Sequence, residues 1–152
     1  MAKSLVRGLL AGTIATGVLT WFERFERGLL GRTPQYHAVS IADRLRRNLL
    51  RRHTSHATAR RLGRNLKWVY GPVLGALYGL QADLLPQSPW SAGLQLGHEI
   101  FVFERTALPL TGATSSLRLW SPLERLLLRV HTAVFGLATV FIDRAQRRIA
   151  SR

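Results

Sequence analysis

Two long uncharged stretches stand out in the pattern of hydrophobic and polar positions along the chain. Fifteen uncharged residues lie between Arg7 and Glu23, and another fifteen lie between Lys67 and Asp83. As a helix, each stretch covers roughly 22 Å, so it needs flanking Leu residues and snorkelling Arg or Lys side chains to cross a hydrocarbon layer of about 30 Å. Both stretches have such flanks, and both are predicted to be membrane-spanning helices.

A third and a fourth segment are apolar but contain ionisable residues. The third contains His98 and Glu99, and the fourth contains Arg129 and His131. Ionisable residues at membrane depth normally face the interior of a helical bundle. A polar interior is therefore expected, with Glu99 buried beside His98 or His131 and turned away from lipid.

Glycines at four-residue spacing favour close helix packing in a membrane. In lipid, such glycines let two helix backbones approach each other, whereas in a soluble helix each costs about 1 kcal/mol relative to Ala. The alternative is a soluble bundle with glycine-rich kinks. The predicted packing positions are Gly12, Gly71, Gly75, Gly79, Gly93 and Gly97.

Part of the first segment recurs at a constant offset of 81 positions. This repetition predicts two copies of a helical hairpin, and chance similarity between two apolar helices is the alternative. The matching residues are Ala11, Gly12, Phe22, Glu23 and Arg24 against Ala92, Gly93, Phe103, Glu104 and Arg105, with Gly31 and Thr33 against Gly112 and Thr114.

These patterns predict an all-α integral membrane bundle of four transmembrane helices, arranged as two repeated helical hairpins. A basic amphipathic interfacial helix is predicted after the first span. The predicted spans cover about residues 5–24, 66–85, 87–104 and 124–143, and the amphipathic connection covers about residues 38–52. The 152 residues are expected to form a single membrane domain.

The charge of the chain is strongly positive and unevenly distributed. The formal net charge is +14, 47% of residues are hydrophobic, and 20 of the 22 basic residues are Arg. The connection from Arg24 to Arg64 contains eleven Arg, whereas the connection from Asp83 to Trp90 contains no basic residue. The positive-inside rule places the long basic connection in the cytoplasm and both termini outside. The basic tail, with Arg144, Arg147, Arg148 and Arg152, argues against this orientation.

Within the long connection, apolar residues at helical spacing alternate with basic ones. An interfacial helix with Arg on lipid phosphates fits this pattern, and a solvated helix capping the bundle is the alternative. Asp43 and Arg47 are expected to form an i,i+4 pair. Nucleic-acid binding is not expected, because aromatic interleaving and a recognised module are missing. The predicted headgroup-binding residues are Arg44, Arg46, Arg47, Arg51 and Arg52.

Several sequence segments resemble a known family. They are GLLAGTIATGVLTWFER near the start, YGPVLGALYGL, SAGLQLGHEIFVFERTALPLTG with its Leu-Pro-Leu-x-Gly ending, and HTAVFGL. With these segments the chain resembles the uncharacterised YagU-like family of small bacterial inner-membrane proteins. The resemblance implies a multi-pass inner-membrane protein connected with acid tolerance, and it implies no particular reaction or ligand. The chain differs from the family in its Arg-rich first connection.

The sequence contains no recognisable catalytic motif, such as a phosphate-binding loop, a His-Glu-x-x-His pair or a nucleophile elbow. Without Cys, it has neither disulfides nor thiolate metal sites. No catalytic or metal residue is assigned. One polar intramembrane cluster is predicted, consisting of Tyr70, His98, Glu99, Glu104 and His131. It is interpreted as a structural fastening, as a proton or substrate path, or as a haem site with His98 and His131 as axial ligands.

The leading functional hypothesis is a non-enzymatic multi-pass protein of the bacterial inner (plasma) membrane. It would act as an accessory or scaffolding subunit through helix packing and through contacts with anionic lipid or protein. Its expected partners are membrane lipids and either another protein or further copies of the chain. The rivals are a small proton-linked transporter or channel that uses the Glu/His cluster, and a haem-binding membrane subunit.

Overall fold

A computed structural model describes residues 2–31, 36–50 and 56–150. Within these ranges the protein is all-helical, as predicted, with five α-helices, a single 3₁₀ turn and no strand. The helices are α1 (Ala2–Leu30), α2 (Ala38–Leu50), α3 (His56–Gln81), α4 (Pro89–Leu110) and α5 (Pro122–Ala150), and the 3₁₀ turn is Leu117–Leu119.

The four long helices form an antiparallel bundle of two hairpins. Helix α3 packs against α1, and α4 packs against α5. The hairpins meet where α1 packs against α5, and the short α2 lies on α3. The buried core includes Ala15 and Leu19 of α1, Leu96 of α4, and Phe135 and Val140 of α5.

The long helices extend beyond the apolar segments recognised in the sequence. Helix α1 runs to Leu30, past the predicted end near residue 24, and α3 begins at His56, ahead of the predicted start near residue 66. The added turns are rich in Arg and Leu, which are good helix formers outside as well as inside a membrane. Hydrophobicity marks the apolar centre of each helix, but it does not mark the helix ends.

Glycines bring the helix backbones together within both hairpins. A Cβ atom added to Gly75 of α3 would lie 2.6 Å from the Cα of Gly12 on α1, a distance that real Cβ atoms essentially never show. A Cβ added to Gly97 of α4 would lie 2.7 Å from the Cα of Ala133 on α5. All six glycines predicted to pack lie at such contacts: Gly12, Gly71, Gly75 and Gly79 between α1 and α3, and Gly93 and Gly97 between α4 and α5.

The first helix of each hairpin is followed by a glycine in the left-handed conformation. Gly31 follows α1 with φ of 63°, and Gly112 lies just beyond α4 with φ of 69°. Residues with a Cβ rarely adopt this conformation, which commonly ends a helix. The two glycines are 81 positions apart, the offset of the sequence repeat.

Two helices in the described part of the chain are long and apolar enough to cross a membrane. These candidate spans are Ala2–Leu29 and Pro122–Ala150. They are the two helices that join the hairpins.

Candidate functional site

A buried carboxylate lies where α1 ends and α5 begins. Glu26 has no solvent exposure and continues the buried stripe of Ala11, Ala15 and Leu19 along α1. Residues three, four and seven positions apart share one face of a helix, so this stripe turns Glu26 toward α5. A carboxylate in such a place needs partners for its oxygens.

Three side chains supply those partners. His37 Nε2 and His131 Nδ1 each lie 3.1 Å from Glu26 Oε2. The Tyr36 hydroxyl donates a hydrogen bond to Glu26 Oε1 at 3.2 Å. We call Glu26, Tyr36, His37 and His131 the Glu26 cluster. It joins α1, the segment before α2, and α5.

Aromatic rings shield the Glu26 cluster from water. The Tyr36 ring stacks on Trp120 at a centroid distance of 5.9 Å and meets the His37 and His131 rings edge-on at 5.4 Å. Burial and the neighbouring Glu26 carboxylate raise the pKa of Tyr36 above its ordinary value. The hydroxyl therefore stays protonated and remains a hydrogen-bond donor to Glu26.

A mostly apolar cavity of about 350 Å³ adjoins the cluster. Helices α1, α3, α4 and α5 line it, and Ala38, Ile41 and Leu45 of α2 complete the lining. Glu23 and Lys67 form an ion pair of 2.7 Å at its edge. The remaining polar side chains of the lining are Thr16, Tyr36, Tyr70, Glu104, Thr111, His131 and Thr132.

Three of the five residues of the predicted intramembrane cluster come together. Glu104 interacts electrostatically with His131 and with Tyr70, and all three line the cavity. The buried Tyr70 hydroxyl lies within reach of the Glu104 carboxylate but does not form a hydrogen bond of regular geometry with it. The other two residues, His98 and Glu99, are exposed on α4.

The expected burial of Glu99 is wrong. Its carboxylate accepts hydrogen bonds from Gln81 at 2.9 Å and from Gln95 at 3.1 Å. The buried face of α4 consists of Ala92, Gly93, Leu96, Gly97, Ile100 and Phe101, so Glu99 is directed away from α5. The close glycine contact fixes that rotation of α4.

The exposed position of His98 also removes the support for haem held between two His. The His98 ring lies beside Phe101, with centroids 6.4 Å apart. His131 directs Nδ1 to the Glu26 carboxylate, and its ring neighbours are Tyr36 and His37. This arrangement does not offer two imidazoles to opposite faces of a haem.

Sequence reasoning missed Glu26, Tyr36 and His37. The helical spacing of Ala11, Ala15 and Leu19 could have indicated that Glu26 is buried, but only if α1 is known to continue beyond Glu23. Tyr36 and His37 lie in a short connection, and their proximity to His131 depends on the packing of α1 against α5.

A second buried carboxylate lies at the opposite end of the bundle. Asp143 of α5 accepts hydrogen bonds from Tyr78 at 3.0 Å and from Arg147 at 2.8 Å, and Arg7 of α1 lies 3.6 Å from it. Arg147 also pairs with Asp83 at 3.3 Å. We call Arg7, Tyr78, Asp143 and Arg147 the Asp143 cluster.

Helix α2 has the two faces expected of an amphipathic helix. Its apolar side chains cover the cavity, and Arg47 pairs with Asp43 at 3.0 Å, the i,i+4 contact expected from the sequence. Arg44 is half-buried. Of the other predicted headgroup ligands, Arg51, Arg52 and the side chain of Arg46 lie outside the described residues.

Comparison with known proteins supplies no relative from which to transfer a role. No family model, no curated protein and no solved structure matches the chain. The functional conclusions therefore depend on the residues and their geometry.

Proposed function

We propose that this chain is a multi-pass membrane protein in which α1, α3, α4 and α5 all cross the membrane. The observation that carries the proposal is the outer surface of the bundle, because all four helices expose large apolar side chains. Exposed apolar surface of this extent is costly in water and favourable in lipid. Examples are Val6, Leu10, Ile14, Trp21 and Phe25 of α1, Val69, Val73, Leu77 and Leu80 of α3, Leu94, Val102 and Phe103 of α4, and Leu126, Val130 and Phe141 of α5.

The glycine contacts support the same depth for all four helices. Gly79 of α3 packs at the level of Ser4 on α1, and Gly71 packs at the level of Thr16. In the other hairpin, Gly93 and Gly97 lie beside Leu137 and Ala133 of α5. Because α3 and α4 share the apolar levels of α1 and α5, they belong in the same lipid layer.

Two copies of one hairpin account for this arrangement. Each copy is a first helix that ends at a left-handed glycine and a second helix packed antiparallel to it through glycine. Gly75 meets Gly12 in the first hairpin, and Gly136 meets Gly93 and Gly97 in the second.

In the proposed orientation, the end of the bundle that carries α2 faces the cytoplasm, and the chain lies in the inner membrane of a bacterial cell. Exposed Arg side chains at this end include Arg24, Arg61, Arg64, Arg118 and Arg125. At the other end, Arg147 pairs with Asp143 and Asp83, and Arg144 donates to the backbone carbonyls of Pro86 and Gln87. Because these two Arg side chains are paired locally, the basic tail is weaker evidence against this orientation. The resemblance to the YagU-like family, which remains a prediction from the sequence, agrees with this location.

The proposed role is that of a non-enzymatic accessory or scaffolding subunit. Helix α2 lies on the bundle with its apolar side inward, at the end where the exposed Arg side chains are gathered. Guanidinium groups bind phosphate oxygens in two-point contacts, so this end suits anionic lipid headgroups or an acidic partner. The outer apolar faces supply further contact surface for a membrane partner.

Extraction from the membrane tests the multi-pass assignment, and purification tests the accessory role. The chain should remain in the membrane fraction after an alkaline carbonate wash, and release by that wash would contradict the multi-pass assignment. Purification in mild detergent should then give a complex larger than the chain and its detergent, containing a second protein. A lone homo-oligomer would contradict the accessory role.

A small proton-linked transporter or channel is the second candidate function, because Glu23, Glu104 and His131 line a cavity within the bundle. In proteoliposomes with an imposed pH gradient, such a protein would release the gradient faster than empty vesicles. Glu104→Gln would abolish that release while leaving the fold intact. No difference from empty vesicles would remove this candidate.

A further inference from the structure

The Glu26 cluster brings three possible metal-ligand atoms close together. One carboxylate oxygen of Glu26, a ring nitrogen of His37 and a ring nitrogen of His131 all lie within 4.8 Å of one another. The three residues come from separate parts of the chain, and Glu26 and His131 are 105 positions apart. Folding therefore assembles the set without any local sequence motif.

The spacing of each His nitrogen from the Glu26 carboxylate fits a first-row transition ion. Tetrahedral Zn²⁺ has bonds of about 2.0–2.1 Å to His nitrogen and carboxylate oxygen, which separates neighbouring ligand atoms by about 3.3 Å. Each imidazole nitrogen lies 3.1 Å from Glu26 Oε2. An ion bound to both atoms of such a pair would see them at an angle of about 100°, close to the tetrahedral value.

The surroundings of the three ligands resemble those of metal-binding His and Glu residues elsewhere. Such ligands are usually held by hydrogen bonds or charges on the side away from the metal. Tyr36 donates to the second oxygen of Glu26. The stacked Tyr36 and Trp120 rings provide an apolar wall. His131 and Tyr36 also line the cavity, which leaves a side from which a further ligand can approach.

The donor types select the ion. Two imidazole nitrogens and one carboxylate suit Zn²⁺ and its first-row neighbours, whereas Mg²⁺ and Ca²⁺ prefer oxygen ligands throughout. The set lacks thiolates, since the chain has no Cys.

We propose that Glu26, His37 and His131 form a binding site for a divalent first-row transition ion, with Zn²⁺ as the best fit. The ion would tie the end of α1, the segment before α2 and the start of α5 to one centre. The site does not depend on the number of helices that cross the membrane.

Zinc binding to the purified full-length chain tests the proposal. After any bound metal is removed with a chelator, added Zn²⁺ should bind at about one ion per chain. It should raise the Tm by about 5 °C or more, since a ligand that binds only the folded state stabilises it. Mg²⁺ and Ca²⁺ should not raise the Tm. A wild-type protein that stays folded and binds no Zn²⁺ would overturn the proposal.

Variants identify the ligands. His37→Gln and His131→Gln should each abolish the Zn²⁺-dependent rise in Tm, and His98→Gln, at an exposed His, should leave it unchanged. Tyr36→Phe keeps the ring stack and should weaken binding about tenfold, because it removes a hydrogen bond to a ligand. Retained one-to-one binding in folded His37→Gln or His131→Gln would overturn the assignment.

X-ray absorption on the wild-type protein with bound Zn²⁺ does not require any variant to fold. The spectrum should show nitrogen and oxygen ligands only, with the scattering pattern of two imidazoles. A spectrum without imidazole scattering would contradict the site.

Discussion

At the scale of single residues, the molecule shows how position decides what a carboxylate does. Glu26 and Glu99 are both helical, yet Glu26 is fully buried with two His and a Tyr as partners, whereas Glu99 is exposed with two Gln partners. Asp143 repeats the buried case at the other end of the bundle. Glu26 and Asp143 connect α1 to α5 at opposite ends of the bundle.

Glu26→Gln should lower the free energy of unfolding by about 2–4 kcal/mol, because the amide places an N–H group where an acceptor is needed and removes the charge from a buried network. Glu99→Gln should not lower it, because a charged side chain on the outer face at the middle of a membrane-spanning helix is unfavourable in lipid or detergent. Denaturant or thermal unfolding of both variants in the same detergent measures the difference. Equal losses would show that burial does not distinguish the two positions.

Asp143→Asn should lower the free energy of unfolding by about 2–3 kcal/mol, since it leaves two guanidinium groups near a buried site without a counter-charge. Asp83 is the matched control, because it pairs with the same Arg147 but its side chain is 85% exposed. Asp83→Asn should cost less than about 0.5 kcal/mol. A larger loss for Asp83→Asn than for Asp143→Asn would contradict the role of burial.

The sequence predicted part of the site, for identifiable reasons. Tyr70 and His131 were placed together because each lies about one turn inside the same face, and Glu104 was placed with them because it lies at that end of the third apolar segment. This depth argument does not require knowledge of helix rotation. The predicted burial of Glu99 was wrong because one position along a helix turns a side chain by about 100°. The depth of a residue along the helix therefore does not determine its neighbours unless the rotation of the helix is also known. Tyr36 and His37 lie outside any periodic segment, and periodicity therefore carries no information about them.

At the scale of helices, glycine decides the separation between them. The four-residue spacing of Gly71, Gly75 and Gly79 predicted a packing face on α3, and that face meets Gly8 and Gly12 of α1. This prediction depends only on the helical period, which is why it can be made without a structure. Helix lengths were less predictable, because the polar turns beyond each apolar centre are helical as well.

Gly75→Ala should destabilise the bundle by about 2 kcal/mol or more, because the new methyl group has to push apart two backbones that already touch. Gly17 lies on α1, the helix that α3 packs against, but a Cβ added there would meet nothing within 4 Å, so Gly17→Ala is the control. It should be neutral or stabilise by up to about 1 kcal/mol through helix propensity. Unfolding midpoints in detergent give both values. An unchanged midpoint for Gly75→Ala would contradict the tight contact.

At the scale of the whole molecule, the charge distribution and the topology make a joint prediction about orientation. The four antiparallel helices place the Ala82–Ser88 connection at one end, and they place α2 and the Thr111–Ser121 connection at the other. The exposed Arg side chains of the second end are expected on the cytoplasmic side. The two ends should therefore differ in accessibility from outside the cell.

Single-cysteine labelling measures this orientation, and the natural chain contributes no Cys of its own. Ser88 is an exposed residue of the short connection, so Ser88→Cys should react with a membrane-impermeant maleimide in intact cells. Ser116→Cys, exposed at the α2 end, should react only after the membrane is permeabilised. Labelling of both positions from the same side would contradict the antiparallel crossing.

The pairing of the first long helix with the last one sets an order of events during synthesis. His37 follows Glu26 by eleven positions, but His131 follows it by 105 positions, which a ribosome adding about 5–20 residues per second needs roughly 5–20 s to reach. In that interval Tyr36 and His37 are available to the carboxylate, and the last helix is not. A nascent chain stalled before α5 therefore presents an incompletely paired Glu26, so the final helix completes both the bundle and the set of partners around this buried carboxylate.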